Sequence, residues 1–105
     1  MATKLALLQG QEQVIADIKE LVDNGKPVGY LFKAPHRISA EKDFLAETPQ
    51  DRKVHVTLAP WILLSADNEI LVPKNQVVTI VEPIDSVKKM YSEKLNGSDG
   101  ISTDE

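Results

Sequence analysis

His36 and Arg37 form the dipeptide best suited to binding, because an imidazole next to a guanidinium can hold a phosphate. The alternative is the solvated end of a strand, where exposed charged side chains are common. The second histidine, His55, alternates onto the polar face of a predicted strand. Two separate histidines, with no cysteine in the chain and no His-x-x-His spacing, do not favour a metal site.

The sequence lacks the motifs of the common catalytic sites. Charged turns account for the acidic residues that come in close pairs, which are Asp17 and Glu20, Asp67 and Glu69, and Glu82 and Asp85. No serine lies in a G-x-S-x-G motif, and the glycines do not have the spacing of a phosphate-binding loop. We therefore expect a protein that is not an enzyme and that uses neither a cofactor nor a metal.

Lys74, Asn75 and Gln76 are the strongest candidates for contact with nucleic acid. A lysine can pair with phosphate, and amide side chains can hydrogen-bond to base edges. The alternative is a polar hairpin corner without a binding role. Trp61, the only tryptophan, could stack on a base, although its apolar neighbours favour the core or a subunit interface.

Two apolar runs flank this polar corner within the segment EILVPKNQVVTIVEP, residues 69–83. Such runs are typical of strands, and proline between them predicts a bend because it cannot donate to a strand ladder. Further strands are predicted at residues 4–8, at 26–38 with a break at Pro35, and at 54–64 through Pro60. Residues 39–52 are polar and predict a long loop.

Residues 13–23 allow two interpretations. Their apolar residues have the i, i+1, i+4, i+7, i+8 spacing of a helix, and Asn24-Gly25 would end that helix. Alternate residues are also apolar over part of the segment, and Asn-Gly is a strong hairpin signal. The local pattern leaves helix and strand open.

Residues 84–95 have the clearest helical pattern, with Asp85 or Ser86 as a possible N-cap. The residues predicted on its apolar face are Val87, Met90, Tyr91 and Leu95. Residues 96–105 are small and polar, and we expect a disordered tail there.

Length and charge limit the classes of protein that this chain can represent. A chain of 105 residues without cysteine predicts one domain that needs no disulfide. The net charge of −4 does not favour binding to nucleic acid through a global positive field. No N-terminal apolar run has the length of a signal peptide or a membrane span, so we expect a cytoplasmic protein.

Four segments resemble the small Sm-like (Lsm-type) proteins encoded by tailed cyanophages: GQEQVIADIKE, APWILLSADNEI, QVVTIVEP and VKKMYSEKL. The likeness covers most of residues 4–95. The turn at Gly10 is similar to the hairpin of the first Sm motif, and Asp23-Asn24 is similar to the Asp and Asn of that motif. The second Sm motif contains Arg-Gly-Asn, where this chain has Pro73-Lys74-Asn75.

The resemblance implies a mainly β fold for residues 1–95, a strongly bent, five-stranded antiparallel barrel with a C-terminal helix, and it favours strand for residues 13–23. Members of the family form rings in which an edge strand pairs with that of the next subunit, and many bind single-stranded RNA through two loops. The implied RNA-binding residues are Asp23, Asn24, Lys74, Asn75 and Gln76. The implied interface residues are Trp61, Ile62, Leu63, Leu64, Val77, Val78, Thr79, Ile80 and Val81.

We therefore expect a homo-oligomeric ring that binds single-stranded RNA weakly, in the host cytoplasm if the protein is viral. The alternative is an oligomeric protein-interaction module that binds no nucleic acid.

Overall fold

The computed structural model describes residues 2–42 and 54–96. These residues form six strands and one helix, which are β1 (Ala2–Leu8), β2 (Gln13–Asp23), β3 (Lys26–Lys42), β4 (Val54–Pro60), β5 (Glu69–Pro73), β6 (Val77–Val81) and α1 (Asp85–Leu95). A short 3-10 helix, Lys74–Gln76, joins β5 to β6. The prediction of a mainly β fold with a C-terminal helix is confirmed, and the number of strands is six rather than five.

The strands form one antiparallel sheet with the order β4-β3-β2-β1-β6. The long strand β3 pairs with β5 through residues 29–33 and with β4 through residues 36–42. Among the described strands, β4, β5 and β6 each have one partner, so the sheet is not closed.

The connection between β5 and β6 requires the sheet to bend strongly. In a flat sheet these strands would lie four strand spacings apart, which is roughly 19 Å. The 3-10 helix advances by roughly 2.0 Å per residue, so the end of β5 lies within about 8 Å of the start of β6. The two edges of the sheet therefore approach each other at this end.

Residues 13–23 form β2, so the ambiguity of this segment is resolved as strand. The strand is hydrogen-bonded to β1 along one edge and to β3 along the other, and apolar side chains cover both of its faces. Val14, Ile15 and Ala16 are therefore all fully buried. A strand buried on both faces has consecutive apolar residues, which is why its pattern matched a helical stripe as well.

Two apolar clusters lie on opposite faces of the sheet. The first contains Ala6, Leu8, Val14, Ala16, Ile18, Phe32 and Val72. The second contains Ile15, Leu58, Val87 and Tyr91, and the last two of these belong to α1. Because side chains alternate along β2, its even-numbered residues enter the first cluster and Ile15 enters the second. The helix therefore covers one face of the sheet.

A bulge in β3 separates the part that pairs with β5 from the part that pairs with β4. Ala34 has a φ of 52°, and the register between β2 and β3 shifts there. Loop residues engage the backbone of the bulge, since Ala34 N donates to Asn68 O at 2.7 Å and Trp61 N donates to Pro35 O at 3.1 Å. The predicted break at Pro35 thus lies where the strand changes partner.

Three predicted boundaries are wrong. Residues 62–64 lie in a turn rather than a strand, because β4 ends at Pro60, which cannot donate to a ladder. Residues 39–42 continue β3 instead of entering a loop, because they pair with β4. The N-cap of α1 is Ile84, without a side-chain hydrogen bond, so neither Asp85 nor Ser86 has that role. Residues 43–52 of the predicted loop and 97–105 of the predicted tail lie outside the described residues.

Glu82 connects the entry to α1 with strand β1. Its carboxylate accepts hydrogen bonds from Lys4 Nζ at 2.5 Å and from Lys88 Nζ at 2.7 Å. The hydrogen bond from Lys4 lowers the pKa of Glu82 most, and the hydrogen bond from Lys88 is second. With the positive charges of both lysines, they lower this pKa to about 2.

Within the described part of the chain, no helix is long and apolar enough to cross a membrane.

We expect Glu82→Gln to reduce the loss of stability in acid. A carboxyl whose pKa is lowered in the folded state stabilises the protein above its ordinary pKa of 4.5, and this stabilisation is lost as the pH falls towards 2. The effect should be small and should weaken with salt, because the ion pairs are exposed. Thermal unfolding between these two pH values at low salt tests this, and an unchanged acid slope in the variant would contradict it.

Candidate nucleic-acid interface

The polar corner is the 3-10 helix of Lys74, Asn75 and Gln76, which follows Pro73. All three side chains are exposed. The proline has an extended conformation, φ −64° and ψ 148°, and Val77 N donates back to Lys74 O. No carboxylate of the described residues pairs with the Lys74 ammonium. The corner therefore presents one cation and two amides to solvent.

The predicted residues Asp23 and Asn24 lie at the tip of the β2–β3 hairpin. Asn24 and Gly25 both have positive φ, 53° and 77°, which is typical of a type I′ turn. Gly29 pairs with Leu21 on one side and with Pro73 on the other. Strand β5 therefore runs towards the hairpin, and the fold places both predicted loops at one end of the sheet.

The hairpin tip extends beyond the polar corner. Lys26, which pairs with Asp23, lies three positions before Gly29, so the tip lies about 10 Å beyond the level of Pro73. The structure brings Lys74, Asn75 and Gln76 together in one short helix, and the two hairpin residues form a separate, exposed part of the same end.

We expect Gly29→Ala to destabilise the fold by about 1–3 kcal/mol, because the site has no room for a methyl group. A Cβ atom at Gly29 would lie 2.8 Å from the backbone oxygen of Val72, so β3 and β5 would have to separate. Gly10→Ala is the matched control, since no atom lies within 4 Å of its added Cβ. Urea unfolding of both variants tests this, and equal effects would contradict the close approach of the two strands.

The free edges of the sheet expose apolar side chains. Leu71 on β5 is 65% exposed, Val78 on β6 is 55% exposed, and Val81 is also exposed. Val78 lies at a bulge, because Leu7 and Leu8 of β1 pair with Thr79 and Val77. The other predicted interface residues of β6 differ in burial: Val77 and Ile80 are half-buried against the core, and Thr79 is exposed.

The remaining predicted interface residues lie in the turn after β4. Ile62, Leu63 and Leu64 are exposed, and Leu64 has 95% of its surface accessible. Trp61 is half-buried and packs against the first apolar cluster, with its ring centroid 5.9 Å from that of Phe32. The turn is thus apolar at its tip and anchored at its base by the tryptophan.

His36 and Arg37 do not form a joint phosphate site. They are consecutive in β3, so their side chains point to opposite faces of the sheet. The Nδ1–H group of His36 donates to Ala34 O at 2.9 Å, and its ring contacts Tyr91 edge-on. His36 therefore supports the packing of α1. Among the described residues, no group of three or more acidic or histidine side chains could hold a metal ion.

Sequence reasoning missed a cleft beside Trp61. The indole Nε1–H donates to the Glu12 carboxylate at 3.1 Å, although the two residues are far apart in sequence. The cleft has a volume of about 280 Å³ and also contacts Gln76 of the polar corner. No sequence signal joins these three residues, because they come from three separate segments of the chain.

Residues 1–96 match a protein family described as a family of unknown function, DUF6561. The matched span extends from β1 to the residue after α1, and it includes the polar corner and the cleft. No curated protein matches the chain in sequence.

Proposed function

The chain belongs to the DUF6561 family, and for this member we propose a ring-forming, Sm-like protein that binds single-stranded RNA weakly. The observation that carries the proposal is the pair of free sheet edges, β5 and β6, which expose apolar side chains on either side of a polar corner. In this proposal the free edges of β5 and β6 form the contacts between subunits, and the polar corner contacts the RNA.

The strong bend of the sheet supports an Sm-like fold. The barrel strands would be β1, β2, the first half of β3, β5 and β6, in the order β5-β3-β2-β1-β6. The second half of β3 and strand β4 would then be an additional hairpin, and α1 would cover the face next to it. This arrangement explains six strands where the resemblance implies five.

Assembly follows from the chemistry of an open edge. A free edge presents unpaired N–H and C=O groups, which readily pair with another strand. Because β5 and β6 lie on opposite edges of one bent sheet, β5 of one subunit can pair with β6 of the next. Such a head-to-tail contact closes into a ring when the rotation per subunit permits. Leu71 and Val78 would be buried in each contact.

RNA binding is proposed for the polar corner together with the hairpin tip. Lys74 can contact a phosphate, and Asn75 and Gln76 can hydrogen-bond to base edges. Asp23 and Asn24 lie at the same end of the sheet and can contact a neighbouring nucleotide. In a ring each corner is repeated in every subunit, so weak individual contacts add through multivalency.

We expect Lys74→Ala to weaken RNA binding about tenfold, which corresponds to the loss of one charge-assisted contact of roughly 1.5 kcal/mol. The slope of log affinity against log salt should fall by about 1 for each phosphate contact that is lost. Fluorescence anisotropy with a labelled uridine-rich single strand at several salt concentrations measures both quantities.

Lys89→Ala is the matched control, because Lys89 is an exposed lysine on α1, outside the corner. RNA binding that is equally strong in all three proteins would refute the role of the corner. No binding by the parent ring would refute the RNA-binding proposal itself.

The exposed turn after β4 favours a second candidate, an oligomeric protein-interaction module without nucleic-acid binding. Leu63 and Leu64 are among the most exposed apolar side chains of the described residues, and they lie outside both free edges. Exposed apolar side chains of this kind often mark a contact with another protein. This candidate predicts the same ring, no affinity for RNA, and loss of the partner on Leu64→Ser.

A further inference from the structure

The cleft beside Trp61 combines an aromatic ring with polar groups from separate segments of the chain. Its lining residues include Leu8, Gly10, Glu12, Trp61, Leu71 and Gln76, and its volume is about 280 Å³. These residues come from the end of β1, the β1–β2 turn, the start of the turn after β4, strand β5 and the 3-10 helix. The side chains that line the cleft are therefore mixed, with the indole and two leucines as apolar groups and a carboxylate and an amide as polar groups.

The indole of Trp61 is held in place on two sides. Phe32, which is fully buried, contacts the indole from the core. The Glu12 carboxylate accepts the indole N–H at 3.1 Å. The ring therefore loses little conformational freedom when a ligand stacks on its accessible part, and nucleobases stack on such rings regardless of their identity.

The polar groups of the cleft add base selectivity to this stacking. One oxygen of Glu12 accepts the indole N–H, and the other has no hydrogen-bond partner among the described residues. An ionised carboxylate only accepts hydrogen bonds, so it selects a base edge that offers donors. Guanine offers two adjacent donors, N1–H and the N2 amino group, and its O6 can accept from the Gln76 amide.

We propose that the Trp61 cleft is a nucleobase site that prefers guanine, with the base on Trp61 and its Watson–Crick edge on Glu12 and Gln76. The inference rests on the proposed RNA-binding function, because Gln76 belongs to the polar corner as well as to the cleft. A base in the cleft would contact Gln76, which lies two positions after Lys74 in the same 3-10 helix.

The intrinsic fluorescence of the protein tests the cleft directly, because Trp61 is its only tryptophan. GMP, IMP, AMP, CMP and UMP are titrated separately against the full-length protein. We expect saturable quenching by GMP with an affinity about tenfold above that of AMP, as one well-placed pair of hydrogen bonds allows. IMP lacks the N2 amino group and should fall between these two nucleotides.

Glu12→Gln keeps the size of the side chain and an acceptor for the indole, and it should reduce the GMP affinity to that of AMP. The comparison of GMP with IMP on the parent protein needs no variant, so it decides the question even if this variant unfolds. Equal affinities for all five nucleotides, or no saturable quenching by GMP, would overturn the guanine site.

The oligonucleotide experiment with Lys74→Ala separates this site from the proposed function. Binding of RNA that depends on Lys74, together with no response to GMP, refutes the cleft and leaves the ring as an RNA binder. A GMP response that discriminates against AMP, together with no binding of RNA, supports the cleft and refutes the broader proposal.

Discussion

Replacing Tyr91 with alanine is expected to lower the free energy of unfolding by about 3–5 kcal/mol, as for other buried aromatic residues. Tyr91 is 2% exposed and packs with Ile15, Leu58 and Val87 between α1 and the sheet. Its removal leaves a cavity in the second apolar cluster, and α1 loses its main contact with the strands. Urea unfolding followed by circular dichroism measures the change.

Tyr91→Phe separates packing from hydrogen bonding. The hydroxyl donates to Ala34 O at 2.9 Å and to Lys33 O at 3.2 Å, at the bulge of β3. Phenylalanine keeps the ring and loses this hydrogen bond, so we expect a smaller cost of about 1–2 kcal/mol. A loss below about 1 kcal/mol for the alanine variant would contradict a buried role for the side chain.

The parent protein and Tyr91→Phe should also differ in alkaline solution. Burial, followed by the negative charge of Asp17, raises the pKa of Tyr91 from 10.0 to about 12. A tyrosine whose pKa is raised in the folded state contributes stability that is complete below its ordinary pKa and is lost as the pH rises towards 12. The parent should therefore lose stability over this interval more steeply than Tyr91→Phe.

Leu71→Glu is expected to convert the proposed ring to a monomer. The side chain is exposed on the free edge of β5, and assembly would bury the new carboxylate without a partner. Val78→Glu on β6 should have the same effect, because it also places an unpaired carboxylate in this contact. Light scattering coupled to size-exclusion chromatography gives the mass of each variant.

A mixture of the two variants tests the head-to-tail arrangement. The Leu71→Glu protein keeps an intact β6, and the Val78→Glu protein keeps an intact β5, so one contact can form between them. The other contact would bring two carboxylates together, so a dimer is expected. Ile84→Glu is the control, since Ile84 is an exposed apolar residue next to α1, outside both edges. A parent protein that elutes as a monomer would refute the ring, and monomers in the mixture would refute the pairing of β5 with β6.

Local chemistry was sufficient to predict several elements. Asn24-Gly25 adopts the two positive φ angles of a tight hairpin, which is one of the two roles that the local pattern left open. Pro73 cannot donate to a ladder, and the strand ends there as predicted. The apolar spacing of α1 predicted the burial of Val87 and Tyr91, although Leu95 at its end is exposed. Each of these features depends on neighbours within a few residues.

Long-range pairing decided the other elements. The segment 13–23 is a strand because β1 and β3 provide hydrogen-bond partners along both of its edges, and no local pattern contains that information. The strand β3 extends through residues 39–42 because β4 provides its hydrogen-bond partners, although those residues are polar. The candidate binding groups also divide into local and long-range sets. The polar corner is local, because Lys74, Asn75 and Gln76 are adjacent in sequence. The cleft is long-range, because Glu12 meets Trp61 only in the folded chain.

The sequence by itself determined the class of fold, the position of the polar corner and the C-terminal helix, because turn chemistry and apolar periodicity act over a few residues. The tertiary structure alone decided which edges stay open and which distant side chains meet. Edges and clefts depend on the order of strands and on the bend of the sheet, which arise from contacts between residues far apart in the chain.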